Sequence, residues 1–389
     1  MKLEPFALER FQSIWENRVA WNVAESGVHP LRVSELIDSA ELHDALMEQT
    51  LGYPQTNGTA ELREAIAAIY PGATPDHVQV TNGGSEANCI LLMKLVEPGD
   101  EIVFMTPNYL QASGLARALG AIVRPWTLRE AAADRTADRD HPERSGPADR
   151  WTLDLDELER LVTPKTRAIL LCNPNNPTGA RLDAAALDRI CNIAATVGAW
   201  VIDDEIYRGA EREADDTPTV WGRYDRAIVS SGLSKAFGLP GLRIGWVAGP
   251  PALIADLWAV HDYTTIAPGA INDRLARIAL TQRDKLLART RMIVRTNYPL
   301  VKRWIDKQGG LSHIAPEAGA IVFVRHTHPF RSSELAERLR DERGVLVVPG
   351  DYFDMDGYLR IGFGADPEYL ESALLRIGDF LSSLSAHAR

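Results

Sequence analysis

Lys235 stands in the run Ser234-Lys235-Ala236-Phe237-Gly238-Leu239-Pro240-Gly241-Leu242-Arg243, with a second cation, Arg243, eight residues on. A lysine amine attacks a carbonyl only when unprotonated, and a free lysine titrates at about 10.4. Partial burial and nearby cations lower that value, so the pairing predicts an amine tuned for Schiff-base chemistry. The apolar runs Arg226–Ser230 and Leu242–Ala248 read as strands around a Gly/Ser-rich loop, a place where functional side chains are displayed. A single lysine is ordinarily a solvated surface charge. Its significance here depends on three further groups of residues.

Asn173-Pro174-Asn175-Asn176-Pro177-Thr178-Gly179 follows the apolar run Arg167–Cys172, which reads as a strand buried on both faces. The prolines and glycine stop the strand and fix a turn, placing amide side chains at the carboxyl end, where open α/β sheets bind ligands. Trp200-Val201-Ile202-Asp203-Asp204-Glu205-Ile206-Tyr207 ends a second apolar strand on three carboxylates. A carboxylate there costs desolvation unless a cation meets it, and a protonated ring nitrogen would serve. Asp203 and Glu205 read equally well as a solvated acidic strand end. Val78–Thr81 leads through Gly83-Gly84-Ser85 into a helical pattern, so free N–H groups and the helix dipole offer an anion cradle. The Gly-Lys-Ser/Thr ending of a Walker loop is missing.

Together and in this order, Asn-Pro-x-Asn-Pro-Thr-Gly, Asp-Glu-Ile-Tyr and Ser-Lys-Ala-Phe-Gly-Leu-Pro-Gly-Leu-Arg resemble the class I/II aminotransferases of the aspartate aminotransferase superfamily, pyridoxal-phosphate enzymes of fold type I. The resemblance runs from about Trp21 to Arg360. It implies that Lys235 forms the Schiff base with pyridoxal 5'-phosphate and shuttles the proton. Asp204 would keep the pyridine nitrogen protonated. Asn176 and Tyr207 would hold the phenolic oxygen. Gly83, Gly84, Ser85, Ser234 and Arg243 would hold the phosphate, and Tyr109 would stack on the ring. Tyr53 would reach a phosphate in the neighbouring subunit of a homodimer. Arg360 would fork the substrate α-carboxylate, a task suited to the planar guanidinium. Asn176, Gly27 and Val28 would also face substrate, with Trp21 and the Ser26–His29 loop as walls that carry no cation suited to a dicarboxylate.

Two positions depart from that family. Many relatives carry Ser or Thr three residues before the lysine, where this chain has Gly232, leaving Ser231 and Ser234 as substitutes. The N-terminal loop reads Glu25-Ser26-Gly27-Val28-His29-Pro30 rather than Gly-Glu-Pro-Asp-Phe. Over those few residues it is similar to capreomycidine synthase-like enzymes, which use the same fold on an arginine derivative. The implied activity is amino transfer between an L-amino acid and a 2-oxo acid. The alternative is elimination, replacement, cyclisation or decarboxylation with the same cofactor. A regulator using this fold as a ligand sensor would need a DNA-binding domain, for which the short stretch before Trp21 is expected to leave no room.

Composition bounds the rest. The 389 residues are 45% hydrophobic and 24% charged, ordinary for a globular enzyme. A formal charge of −11 argues against nucleic acid as the main partner. The three cysteines Cys89, Cys172 and Cys191 form no Cys-x-x-Cys pair, and His29, His261 and His313 are isolated, so no disulfide framework or metal site is expected. No apolar run of roughly 18 residues suggests a membrane span, and Met1–Phe6 lacks a signal-peptide core, so a cytoplasmic location is expected.

Helical patterns such as Ala60–Tyr70 and Asp183–Val197 alternate with apolar strands such as Glu101–Met105 and Trp200–Asp203. That rhythm predicts an α/β fold with a mainly parallel, seven-stranded-type sheet flanked by helices. Three regions are expected: 1–45, contributing to the small domain and substrate loop; 46–282, the large cofactor-binding domain; and 283–389, a smaller α+β domain with strands Ala320–Val324 and Gly344–Val348 and a closing helix Pro367–Ser385. Arg129–Arg150 lacks apolar periodicity and reads as a mobile surface insertion.

Overall fold

The computed structural model describes residues 2–131, 149–213 and 216–387. Seven strands form the central sheet, in the spatial order Val78–Thr81, Gly245–Ala248, Ala227–Gly232, Trp200–Asp204, Thr166–Cys172, Glu101–Thr106 and Ile122–Thr127. Gly245–Ala248 is antiparallel to both neighbours, and the other four pairings are parallel.

Strand alternation explains the layering. Ile102 and Phe104 face one apolar core with Ala168, Leu170 and Ile202. Val103 and Met105 face the other, with Ile169, Leu171 and Val201. Helices cover both faces. Ala184–Val197 is capped by Asp183, whose side chain accepts from Ala186 N–H at 2.8 Å, and it stops at Gly198 with φ +70°. Because the parallel strands share a direction, their carboxyl ends gather at one edge.

A second sheet of four strands, Leu311–His313, Ile321–His326, Tyr358–Gly362 and Val348–Pro349, is antiparallel throughout. Its apolar core includes Ile293, Val301, Leu335, Ile377 and Phe380, together with Val23 and Val28 from the N-terminal segment. That segment is held by a parallel ladder, Trp21–Asn22 against Val345–Leu346, and by backbone bonds Gly362 N–H to Val23 O (2.7 Å) and His29 N–H to Gly364 O (2.8 Å). It therefore carries Glu25, Ser26 and Gly27 from the second sheet toward the first.

Three expectations change. Gly344–Val348 is not one strand: Val345–Leu346 and Val348–Pro349 pair in different sheets, because each side of Val347 meets a different partner. The strand expected over Leu242–Ala248 begins only at Gly245, after a 3-10 turn over Pro240–Leu242, with Arg243 at φ +48°. The ends of the Arg129–Arg150 insertion are ordered as an antiparallel ribbon, Arg129–Ala131 against Arg150–Thr152. Tyr358 Oη donates to Glu130 at 2.9 Å, and Arg325 lies 3.5 Å from the same carboxylate, so the ribbon is tied to the second sheet. Residues 132–148 of that expectation lie outside the described residues. Among the described residues no helix is long and apolar enough to cross a membrane.

Candidate active site

One cavity of about 340 Å³ opens where the strand ends meet the second sheet. Lys235, Asp204, Tyr207, Asn176, Tyr109, Ser234, Arg243, Gly84, Ser85 and Arg360 all line it, as do Glu9, Glu16, Glu25 and Ser26. The three asparagines of the 173–179 turn divide their work. Asn173 accepts from Leu182 N–H and Asn175 from Thr178, which builds the turn. Asn176 alone faces the cavity, where its Oδ1 accepts from Arg360 Nη1 at 2.9 Å.

Arg360 is 2% exposed. Its Nη2 donates to Ala24 O at 2.6 Å, while Nε has no hydrogen-bond partner. Burial pulls this guanidinium below its usual value, with the nearby Tyr207 and Glu25 working against it. A desolvated cation with an unmet donor is a site for an anion.

Asp204 lies at the cavity floor. Burial lifts its carboxyl to about 6, against hydrogen bonds from Ile206 N–H (3.1 Å) and Asn88 Nδ2 (3.4 Å). Ser230 orients that amide by donating to Asn88 Oδ1 at 2.9 Å. No protein cation meets Asp204 among the described residues, so a protonated ring nitrogen fits the place.

At the open end, helix Gly84–Leu95 begins without a side-chain cap. Gly83 has φ +87°, and a Cβ there would come 2.3 Å from Arg243 Nη2. Uncapped N–H groups and a guanidinium pressed against a glycine form a cradle for a phosphate. Gly232 has a physical reason as well: a Cβ would meet Ile244 O at 2.9 Å and Gly245 Cα at 3.0 Å, so a hydroxyl side chain has no room. Of the two expected substitutes, Ser234 lines the cavity within 3.5 Å of Arg243 Nη1, whereas Ser231 is buried against Glu205 O. The cradle, the floor carboxylate and the lysine therefore suit pyridoxal phosphate.

Several expectations are corrected. The Lys235 amine is not lowered overall. Burial acts in that direction, but Glu25, whose Oε1 lies 2.6 Å from Nζ, and Tyr207 outweigh it and raise the amine above its usual value. Glu25 in turn falls to about 2, chiefly through Lys235. Val28 packs into the second core rather than lining the cavity, and Trp21 packs on Tyr369 with Arg376 over its ring. Gly27 stays close: a Cβ there would lie 3.5 Å from Lys235 Cδ. Tyr53, 88% exposed, lines a separate groove. Tyr207 Oη donates to Ser26 Oγ at 2.9 Å and Tyr109 Oη to Glu9 at 2.7 Å; Ser26 belongs to the expected substrate loop, whereas Glu9 belongs to none of the expected site motifs.

Asp203 and Glu205 are not a solvated strand end. They lie on the opposite face of the strand from Asp204 and are buried. Neither Asp203 oxygen meets a donor at normal geometry, while Glu205 is held by Thr219 and by Arg208 at 3.7 Å. Burial first, then Glu205 and Asp204, push Asp203 well above the carboxylate range, and burial lifts Glu205 to about 7. Both are raised acids, so their contribution to stability is full below the unfolded values of about 4 and is lost as pH climbs toward 7. Asp203→Asn removes the ionisable member. Thermal melts should show the variant gaining about 1–3 kcal/mol over the parent as pH rises from about 5 to about 8. A gap independent of pH would contradict the shared burial.

Residues 29–377 match the family model for aminotransferase class I and II. The chain is 33% identical over 374 residues to capreomycidine synthase of Streptomyces vinaceus, covering 95% of this chain and 90% of that protein. It is 30% identical to a probable aspartate/prephenate aminotransferase of Thermus aquaticus, covering 87% and 85%. A crystal structure of a PLP-dependent aminotransferase from Streptococcus suis superposes with a TM-score of 0.89 at 32% identity, over 99% of both chains. The cofactor implied is pyridoxal phosphate. With a family model matched over most of its length and relatives above 30% identity covering nearly all of it, the chain belongs to the class I and II aminotransferases.

Proposed function

We propose that the protein is a pyridoxal-phosphate-dependent aminotransferase that moves an amino group between an L-amino acid and a 2-oxo acid, with Lys235 as the residue that carries the cofactor. The observation that carries this reading is the meeting of Lys235, Asp204 and the buried, incompletely bonded Arg360 in one cavity. Pyridoxal phosphate, when bound, supplies an aldehyde for amine capture and a ring that accepts an electron pair from the substrate Cα.

The chain's own residues supply the rest. Gly84, Ser85, Ser234 and Arg243 would hold the phosphate, Asp204 would keep the ring nitrogen protonated, and Tyr109 would lie beside the ring. Tyr207, fixed by Ser26, and Asn176, fixed by Arg360, would meet the ring's phenolic oxygen. Arg360 takes the α-carboxylate on the edge where Nε is unmet, which turns Cα toward Lys235. Lys235 Nζ would be the base that takes the proton at Cα and the acid that carries it onward.

Arg360→Lys keeps a charge but loses the planar fork. A charge-assisted bond of this kind is worth roughly 1.5–3 kcal/mol, so kcat/KM should fall about ten- to a hundred-fold with the cofactor absorption unchanged. An unaltered kcat/KM would remove Arg360 from substrate binding.

The reading includes a homodimer in the cytoplasm. Tyr53 sits in a groove with Leu51, Pro54, Pro268 and Ile271, an apolar patch suited to burial against a second copy, which would bring Tyr53 to the phosphate of its partner. The three free cysteines accord with a reducing compartment. A second reading, cyclisation or elimination on an amino-acid derivative, is favoured by the similarity to capreomycidine synthase. One assay separates them. With an amino donor and a 2-oxo acid acceptor, an aminotransferase forms the aminated acceptor in step with the new oxo acid. Turnover of the donor without any aminated acceptor would favour the second reading.

A further inference from the structure

Charge in the cavity is unbalanced. Four carboxylates line it, from Glu9, Glu16, Glu25 and Asp204, against three cations, Lys235, Arg243 and Arg360. Under the proposed function each cation has an assignment: Arg243 to the cofactor phosphate, Lys235 to covalent attachment, Arg360 to the α-carboxylate. Asp204 is likewise taken by the ring nitrogen. Glu25 keeps the Lys235 amine, 2.6 Å away, whenever that amine is free, while Glu9 and Glu16 form no ion pair among the described residues.

Their placement is built. Helix Ala7–Trp15, with Glu16 at its end, lies along the cavity, and Glu9, Gln12 and Glu16 recur at helical spacing on the lining face. Gln12 Nε2 donates to Ala24 O at 3.2 Å, the same carbonyl that receives Arg360 Nη2, so the helix is tied to the α-carboxylate end. Glu9 is fixed by Tyr109 Oη at 2.7 Å. Glu25 is fixed by the backbone N–H groups of Ser26 and Gly27, each at 2.9 Å. The Glu16 carboxyl makes no hydrogen bond or ion pair among the described residues, and it is raised by burial, then by Glu25 and Glu9. Separately, the unmet Arg360 Nε, buried in the same cavity, is the donor that holds the carboxylate of an amino acid.

We infer that this cavity selects an amino acid whose side chain carries a cation, guanidinium or ammonium, and that Glu9 and Glu16, with Glu25 beside them, are the residues that read it. The inference rests on the proposed function for the direction in which the substrate lies. Crowded carboxylates repel one another, and a cationic side chain relieves that repulsion. An aspartate or glutamate side chain would add to it, which excludes dicarboxylates by repulsion as well as by lack of a partner.

The test uses the cofactor-loaded enzyme and equilibrium titration by calorimetry with arginine, lysine, citrulline, leucine and glutamate. Citrulline is the neutral counterpart of arginine in shape. Arginine or lysine should bind about ten- to a hundred-fold tighter than citrulline, the scale of one charge-assisted contact. Arginine against lysine tells guanidinium from ammonium. Glu16→Gln, at the end of a surface helix, should shrink the arginine-to-citrulline ratio several-fold and leave citrulline unchanged, with Glu9→Gln as the second variant. Citrulline, leucine or glutamate binding as tightly as arginine would overturn the inference, as would ratios unchanged in both variants. If neutral amino acids bind best and still yield oxo acid and aminated acceptor, the inference fails alone. If no amino acid binds, the proposed function fails with it.

Discussion

Lys235→Ala should lower turnover by about a hundred- to ten-thousand-fold or more, since proton transfer by a placed group contributes that much before covalent attachment is counted. The same change should abolish the visible absorption of tightly held cofactor. Lys235→Arg is the informative control. It keeps a cation opposite Glu25, 2.6 Å from Nζ in the parent, but offers no amine that can join a carbonyl. Both variants should be equally inactive. Activity retained by the arginine variant would mean that the ion pair, and not the amine, is what matters.

Asp204→Asn should reduce turnover by about a hundred- to a thousand-fold, the usual loss when one preorganised electrostatic partner is removed. The reason lies in burial: the carboxyl is lifted to about 6 with only Ile206 N–H and Asn88 for company, so a cation beside it is strongly favoured. An amide keeps the shape and gives up the charge. Cofactor binding, anchored mainly at the phosphate end, should change far less than turnover. Asp203→Asn, on the opposite face of the strand, should cost no more than a few-fold. Equal losses in both would place the essential acid on the wrong side of the sheet.

Residues that sit at the ends of buried strands were legible in the sequence because the strand itself was. Asn176, Asp204 and Tyr207 each follow a continuous apolar run, and the structure brings them to one edge. Lys235 was found by its neighbours, although its electrostatics were misread: the carboxylate that faces it is 210 residues away and no local pattern points to it. Arg243 was found as a cation but misplaced on a strand, since a left-handed residue in a 3-10 turn leaves no apolar signature. The acids of the N-terminal helix were the larger omission. Glu9, Gln12 and Glu16 do recur at helical spacing, a readable polar face, yet such a face is ordinarily solvent-exposed. Contacts with distant residues, Gln12 with Ala24 O and Glu9 with Tyr109, turn it toward the cavity. Gly344–Val348 misled for a related reason: apolar residues mark burial, and cannot tell one strand from two short ones that pair in different sheets.

The most direct measurement is chemical. Borohydride converts a carbon–nitrogen double bond to a stable single bond, so treating the cofactor-loaded protein and mapping its peptides by mass spectrometry identifies the residue that carries pyridoxal phosphate. The expected result is one pyridoxyl modification per chain, on the peptide that contains Lys235. Modification of any other lysine, with the Lys235 peptide unmodified, would contradict the assignment on which the whole site is built.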